Sequence, residues 1–317
     1  MIFYITVLRA IAACLITNAH YTGVYPTDLI ANGGLLGDVI FFAVSGYCLT
    51  NIKLSPLRWY AKRVIRVYLP LLLVTAVYVH LGFYVIYGEH SYIWWFIYPT
   101  NYHFATSIVI LYIPYYLVMK VDYLKKHLPM VMGAVLLVYI LIYIFAYDKS
   151  YYHIDDVWEA MIRFMFFECM LLGAYFRCNE QTNKTSNALP YIISTFILLI
   201  LYFASKLIFV KIAAVSVLQI LNQFVLFALL YSIFRLFIAL ADRLDSMPTT
   251  LKKLITFISD ITLEIYLVQY VLIDHLCDRA VFPINWLLIT VSIIIAAYIV
   301  HIITHYLVDK LSQLITV

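Results

Sequence analysis

A chain of 317 residues that is 65% hydrophobic and only 12% charged cannot be a water-soluble domain. Its net charge of +4 gives no reason to expect a nucleic-acid partner. The five cysteines (Cys14, Cys48, Cys169, Cys178, Cys277) stand singly, with no CxxC, disulfide framework or zinc spacing, so no metal is expected.

Repeated apolar runs of about 20 residues read as membrane spans. In chain order the expected spans are 3–23, 33–51, 66–87, 104–120, 128–147, 157–177, 189–208, 212–239, 254–274 and 285–308. The breaks between them hold Gly, Pro, Asn and charges, as turns should. Segment 88–103 is too short and too broken to cross, and reads as an interfacial or re-entrant piece. With the N-terminus cytoplasmic, 15 of the 21 Lys and Arg fall on inside loops and helix ends. Four fall outside, and Arg9 and Arg163 lie within the membrane. The expectation is an all-α polytopic membrane protein of about ten transmembrane helices around a polar cavity. Both termini are cytoplasmic, in one domain over 1–317. The first span lacks a basic leader region and contains Arg9, so it is expected to stay as a helix rather than be removed as a signal. The 29 tyrosines suit interfacial belts and also suggest a cavity lined with polar tips.

In the first span, Arg9 and His20 are eleven residues apart, three helical turns plus about 20°, so both project from one face, about 16 Å apart along the axis. An ionisable residue in lipid is a functional-site hypothesis by default. One reading locks helix packing through a carboxylate or a backbone carbonyl. The other makes His20 a general base, since imidazole titrates near neutrality, and Arg9 an anchor for an anionic group.

In the second span, Gly37-Asp38 precedes Ser45-Gly46-Tyr47. Ser45-Gly46 suits close helix packing. Asp38, seven residues before Ser45, either pairs with Arg9 or His20 or contacts a polar substrate.

The next loop runs Ser55-Pro56-Leu57-Arg58-Trp59-Tyr60-Ala61-Lys62-Arg63-Val64-Ile65-Arg66. Ser55 then Pro56 is a helix start. Arg58, Lys62, Arg63 and Arg66 share a broad face, suited either to setting topology or to clamping phosphate. Trp59 and Tyr60 offer an aromatic surface on which a base could stack. In later spans, Arg163, Glu168 and Glu264 are expected to be satisfied by interhelical contacts.

Several of these stretches resemble the integral membrane acyltransferase-3 family, which includes bacterial O-acetyltransferases acting on cell-surface polysaccharides. They are Arg9-x10-His20, Phe41-Phe42-x2-Ser45-Gly46-Tyr47, Arg63-x2-Arg66 with Pro70, and Ile258-Ser259-Asp260-Ile261-Thr262-Leu263-Glu264-Ile265-Tyr266-Leu267-Val268-Gln269. The last resembles the family's "SYxIYLxH" stretch, with Thr262 in the Ser place and Gln269 in the His place. The resemblance implies a multi-pass protein of the bacterial plasma membrane that takes an acyl group, acetyl first of all, from cytoplasmic acyl-coenzyme A. The acceptor would be a hydroxyl of a cell-surface or lipid-linked glycan. Arg9 and His20 then match the catalytic motif, and Arg63 and Arg66, with Arg58 and Lys62 beside them, the residues for the coenzyme's phosphates. Asp38, Ser45 and Tyr47 are candidates for substrate contact. Two departures stand out. Gln269 cannot act as a base, and Asp38 lies one position earlier than the common acidic residue. The rival reading is a polytopic transporter or flippase for a lipid-linked or anionic small molecule, with the polar track as its path.

Overall fold

The computed structural model describes residues 2–86, 90–183, 185 and 187–316. The described residues form helices α1 (Phe3–Ala19), α2 (Gly34–Cys48), α3 (Pro56–His80), α4 (Tyr92–Phe96), α5 (His103–Lys120), α6 (Asp122–Lys126), α7 (Leu128–Phe145), α8 (Ile162–Cys178), α9 (Glu180–Asn183), α10 (Leu189–Lys211), α11 (Ile220–Ala239), α12 (Ala241–Asp245), α13 (Thr249–Asp260), α14 (Thr262–Leu276) and α15 (Ile284–Thr316). Short 3-10 turns cover Ala213–Leu218 and Cys277–Arg279. Among the described residues six helices are long and apolar enough to cross a membrane: α3, α5, α7, α10, α11 and α15. The pair α13–α14 makes a seventh if its two parts count as one span, while α1 and α2 are apolar but shorter. The outward face of α10 is Ile192, Ile193, Phe196, Ile197, Ile200 and Leu201, all exposed. Only lipid suits such a face.

Helices fall in every expected span, with three differences. First, α3 is one helix from Pro56, so the basic stretch expected as a loop is its first turns. Ser55 is its N-cap residue and Pro56 opens it. Second, 254–274 is not straight. The axis bends by 68° between α13 and α14. The Thr262 hydroxyl donates to the Ser259 carbonyl at 2.7 Å, taking the acceptor that a continuing helix would use. Third, residues 157–161 lie outside α8. Of the expected interfacial segment 88–103, Gly88 and Glu89 lie outside the described residues, as does Tyr87 of the third expected span; Tyr92–Phe96 forms the single turn α4.

The chain divides into two compact units. The first holds Met1–Leu8, Asp38–Ile52 and Leu117–Lys252. Its centre is the crossing of α2 and α8. Gly46 lies against the Met170 backbone, and Gly173 lies against the Ala43 carbonyl and the Tyr47 nitrogen. Phe42 and Phe166 stack there with centroids 4.2 Å apart. The role expected of Ser45-Gly46 in close packing is thus met by Gly46. At another point of this unit the Gln219 amide gathers a loop. Its Oε1 accepts from the His153 and Ile154 nitrogens, each at 2.9 Å, and its Nε2 donates to the Tyr151 carbonyl. The second unit holds Arg9–Gly37, Lys53–Tyr116 and Lys253–Val317. Helices α3, α14 and α15 pack on one another within it.

The crossing of α2 and α8 carries a prediction. A methyl group at Gly46 or Gly173 would collide with backbone atoms, which cannot swing aside. Gly46→Ala and Gly173→Ala should each cost about 1–3 kcal/mol. Nothing lies within 4 Å of a carbon added at Gly133, so Gly133→Ala should stabilise α7 by up to about 1 kcal/mol. Melting temperatures of the purified protein in detergent check both signs.

Candidate functional site

Arg9 lies in the middle of α1, and His20 lies one residue past its end. The His20 backbone nitrogen donates to the Thr17 carbonyl at 3.1 Å, closing the last turn. The expected spacing is therefore kept, but His20 sits on a turn rather than on a helix face.

Arg9 has distant partners in sequence. Its Nε donates to Ser259 Oγ at 2.7 Å and its Nη2 to Asp260 Oδ1 at 3.0 Å. Ser259 is buried, and Asp260 is half exposed. The two acceptors end α13, at the bend before α14. Arg9 thus pairs with Asp260, a partner that the sequence reading did not name.

His20 meets Tyr270 of α14 edge to face, with ring centroids 4.6 Å apart. Tyr270 in turn borders Tyr102 and Tyr266 at 5.9 and 5.7 Å. This cluster is built by phenols bonding to the α14 backbone. Tyr102 Oη donates to the Leu267 carbonyl and Tyr78 Oη to the Val268 carbonyl, both at 2.9 Å. Tyr84 and Tyr102 share a hydroxyl contact of 3.0 Å, and Tyr84 stacks on Trp95 at 4.3 Å. Tyr266 Oη accepts from the Phe104 nitrogen at the start of α5. Tyr78, Tyr84, Tyr102 and Tyr266 are buried, and Tyr270 is half-buried. They hold α3, α5 and the segment before α5 onto α14 rather than lining open space with polar tips.

The start of α5 brings in His103, which the sequence reading did not single out. It is close enough to His20 for a charge on one ring to act on the other. A histidine opening an apolar run looks like any interfacial residue, so the only signal was its type. On the far side of α14, Glu264 Oε1 is 3.0 Å from His301 Nδ1 of α15, a contact of the kind expected for it. Gln269 is wholly buried, and neither atom of its amide has a hydrogen-bond partner among the described residues.

Arg58, Lys62, Arg63 and Arg66 occupy the first turns of α3 in this same unit. Arg58 and Arg66 are exposed, and Lys62 and Arg63 half-buried. Trp59 is not the open stacking platform expected. It is buried against Tyr112 and Tyr116 of α5, at 5.7 and 5.3 Å, and the Arg63 guanidinium lies over its ring at 5.7 Å. Arg63 and Tyr78 are fifteen residues apart on one helix, about 22 Å along its axis. The basic end of α3 and the tyrosine cluster beside His20 are therefore well separated.

The remaining candidates belong to the first unit. Asp38 is buried, and its Oδ1 has no hydrogen-bond partner among the described residues. Ser45 is half-buried. The Tyr47 hydroxyl accepts from Tyr4 Oη at 3.1 Å and from Arg177 Nη1 at 3.4 Å, and Arg177 also lies over the Tyr47 ring and pairs with Glu180. Arg163 and Glu168 do not find the interhelical partners expected of them. Arg163 Nε and Glu168 Oε1 are buried without a hydrogen bond among the described residues. Among these residues no group of three His, Cys, Asp or Glu is arranged to hold a metal.

A family model described as "Acyltransferase domain" matches residues 2–306 of the chain. No curated protein and no solved structure matches it.

The Arg9–Asp260 contact is open to a double-mutant cycle. Arg9→Gln, Asp260→Asn and the double variant, compared with the parent by thermal melting, should give a coupling energy of about 0.5–1.5 kcal/mol. Additive effects would mean that the ion pair does not hold α1 to the end of α13.

Proposed function

Since the chain belongs to the acyltransferase-3 family and is a membrane acyltransferase, we propose that it moves an acetyl group from cytoplasmic acetyl-coenzyme A to a hydroxyl of a cell-surface or lipid-linked glycan. The observation that carries this reading is that Arg9, His20 and the basic turns of α3 all fall in one unit, with the basic turns about 22 Å along α3 from the cluster around His20. A compact cofactor would not need such a separation. A donor with a charged nucleotide at one end and a thioester on a long arm does.

In this reading the coenzyme's phosphates rest on Arg58, Lys62, Arg63 and Arg66, where guanidinium forks match phosphate oxygens. The arm runs along α3 toward the tyrosine cluster. His20 takes the proton of the acceptor hydroxyl as its oxygen attacks the thioester carbonyl. The carbonyl–sulfur bond breaks, and the departing thiolate takes the proton back from His20. No covalent enzyme intermediate is required. Tyr270 fixes the imidazole by its edge-to-face contact, worth about 0.5–1.5 kcal/mol. Arg9, tied to Ser259 and Asp260, keeps a fixed positive charge three turns from His20, where it steadies the donor rather than the proton.

Two outcomes follow. A positioned base contributes about 10²–10⁴-fold, so His20→Ala should lose nearly all acetylation of surface glycans while melting at the parent's temperature. Near-normal glycan acetylation in that variant would sink the mechanism. Saturating coenzyme A should raise the melting temperature of the parent, by about 2.7 kcal/mol of added stability at a hundredfold excess over Kd. Arg63→Ala with Arg66→Ala should weaken that binding and flatten its dependence on salt. Unchanged affinity leaves these arginines as topology signals, and no stabilisation at all favours a transporter.

A further inference from the structure

The first unit contains a cavity of about 640 Å³ between α7, α8, α10 and α11. That volume is in the range of small-molecule sites, about 300–1,000 Å³. Its lining is almost wholly apolar, with Leu136, Phe164, Leu198 and Phe227 among the walls. One ionisable acid interrupts it. Glu168 of α8 lines the cavity, is 6% exposed, and has a buried Oε1 with no hydrogen-bond partner among the described residues. A carboxyl group in such surroundings is costly to bury unless something bonds to it. Nothing among the described residues does so at Oε1.

The occupant must satisfy two conditions. Its bulk must be hydrocarbon, to match the walls. Its polar part must bond to a carboxyl group without adding a second negative charge, because no Lys, Arg or His lines the cavity. A fatty acid or a lipid phosphate fails the second condition. A hydroxyl meets it in either protonation state of Glu168, since it both donates and accepts. Two cations stand beside the lining without joining it: Arg163, next to Phe164 in the chain, and Arg235. The latter donates to the Tyr191 hydroxyl, and Tyr191, not Arg235, borders the cavity.

We propose that this cavity is a binding site for a long-chain lipid alcohol, with the chain between the four helices and the hydroxyl on Glu168. None of the residues that line it is among those assigned to acyl transfer. It stands or falls independently of that reading.

The probe is hexadecanol carrying a diazirine in its chain and a terminal alkyne, applied to the purified full-length protein in lipid nanodiscs. Photolabelling should saturate and should map to peptides from α7, α8 and α11 that line the cavity. Unlabelled hexadecanol should compete, and hexadecane and palmitate should compete about tenfold less well. In Glu168→Leu the half-saturating concentration should rise about five- to tenfold, the value of one hydrogen bond. In Glu168→Gln, which keeps a donor and an acceptor, it should stay within about twofold. The proposal is overturned if hexadecane competes equally, making the cavity an apolar sink. It is also overturned if palmitate competes equally, making a cation such as Arg163 or Arg235 the anchor, or if labelling falls only on outer helix faces. Parent-like labelling of Glu168→Leu overturns it too. If Glu168→Leu does not fold, the competition series on the parent protein decides the matter alone.

Discussion

Arg9 is held in an apolar helix by Ser259 and Asp260, which meet it at the end of α13. The guanidinium is always charged, so it must be answered by polar atoms in every state of the protein. Those atoms are available because the chain does not run straight there. A helix continuing through Ile261 would carry Ser259 and Asp260 on along one axis. The break instead ends α13 with two short polar side chains facing Arg9, while Thr262 covers the Ser259 carbonyl. Beyond the bend, α14 presents Glu264 to His301 and Tyr270 to His20. The charge, the break and the position of the imidazole are thus three aspects of one arrangement.

The tyrosines make that arrangement rigid. Tyr78 and Tyr102 bond to adjacent carbonyls of α14, and Tyr84 links Tyr102 to the aromatic stack on Trp95. In lipid a hydroxyl without a partner is costly, so each buried phenol that finds a backbone carbonyl both satisfies itself and fixes a helix. Tyr270 takes its place within that frame, and His20 takes its place from Tyr270. An imidazole at the end of a helix, otherwise free to turn with its loop, is held by ring contacts on elements far from it in sequence.

The positions of the helices were legible because apolar length is written in consecutive residues. The start of α3 was legible for the same reason: Ser55 and Pro56 act locally. What escaped was decided by contacts across hundreds of residues. Trp59 has the composition of a stacking surface, yet α5 buries it with Tyr112 and Tyr116, which no local pattern announces. Arg9 and Asp260 are 251 residues apart, so the partner of the first charge could not be chosen among the acids of the chain. The bend at Ile261 lies inside an apolar run of ordinary length, where Ser259, Asp260 and Thr262 read as tolerated polar residues. His103 stands at the edge of a span, where histidine is unremarkable until His20 is found near it.

Buried polarity in this protein falls into two kinds, and the difference bears on function. Asn222 is fully buried and bonded through both ends of its amide, to the Tyr202 carbonyl, Ser205 and Tyr152; Gln219 is likewise spent on its loop. Such groups lock helices and loops together. Gln269, Asp38 and Glu168 are as deeply placed, but Gln269 leaves both amide atoms, and Asp38 and Glu168 one oxygen each, without a partner among the described residues. Hydrophobic residues of similar size would cost the fold less at each position. A polar atom buried without a partner needs an explanation outside the packing of the chain. Glu168 has that explanation in the cavity it lines. Gln269 stands next to Tyr270, the residue that holds His20, in the stretch that resembles the family's late motif. It cannot take a proton, but its amide can both donate to and accept from a bound group. Of the groups near Tyr270, the imidazoles of His20 and His103 can exchange a proton, whereas the amide at 269 can only donate or accept a hydrogen bond.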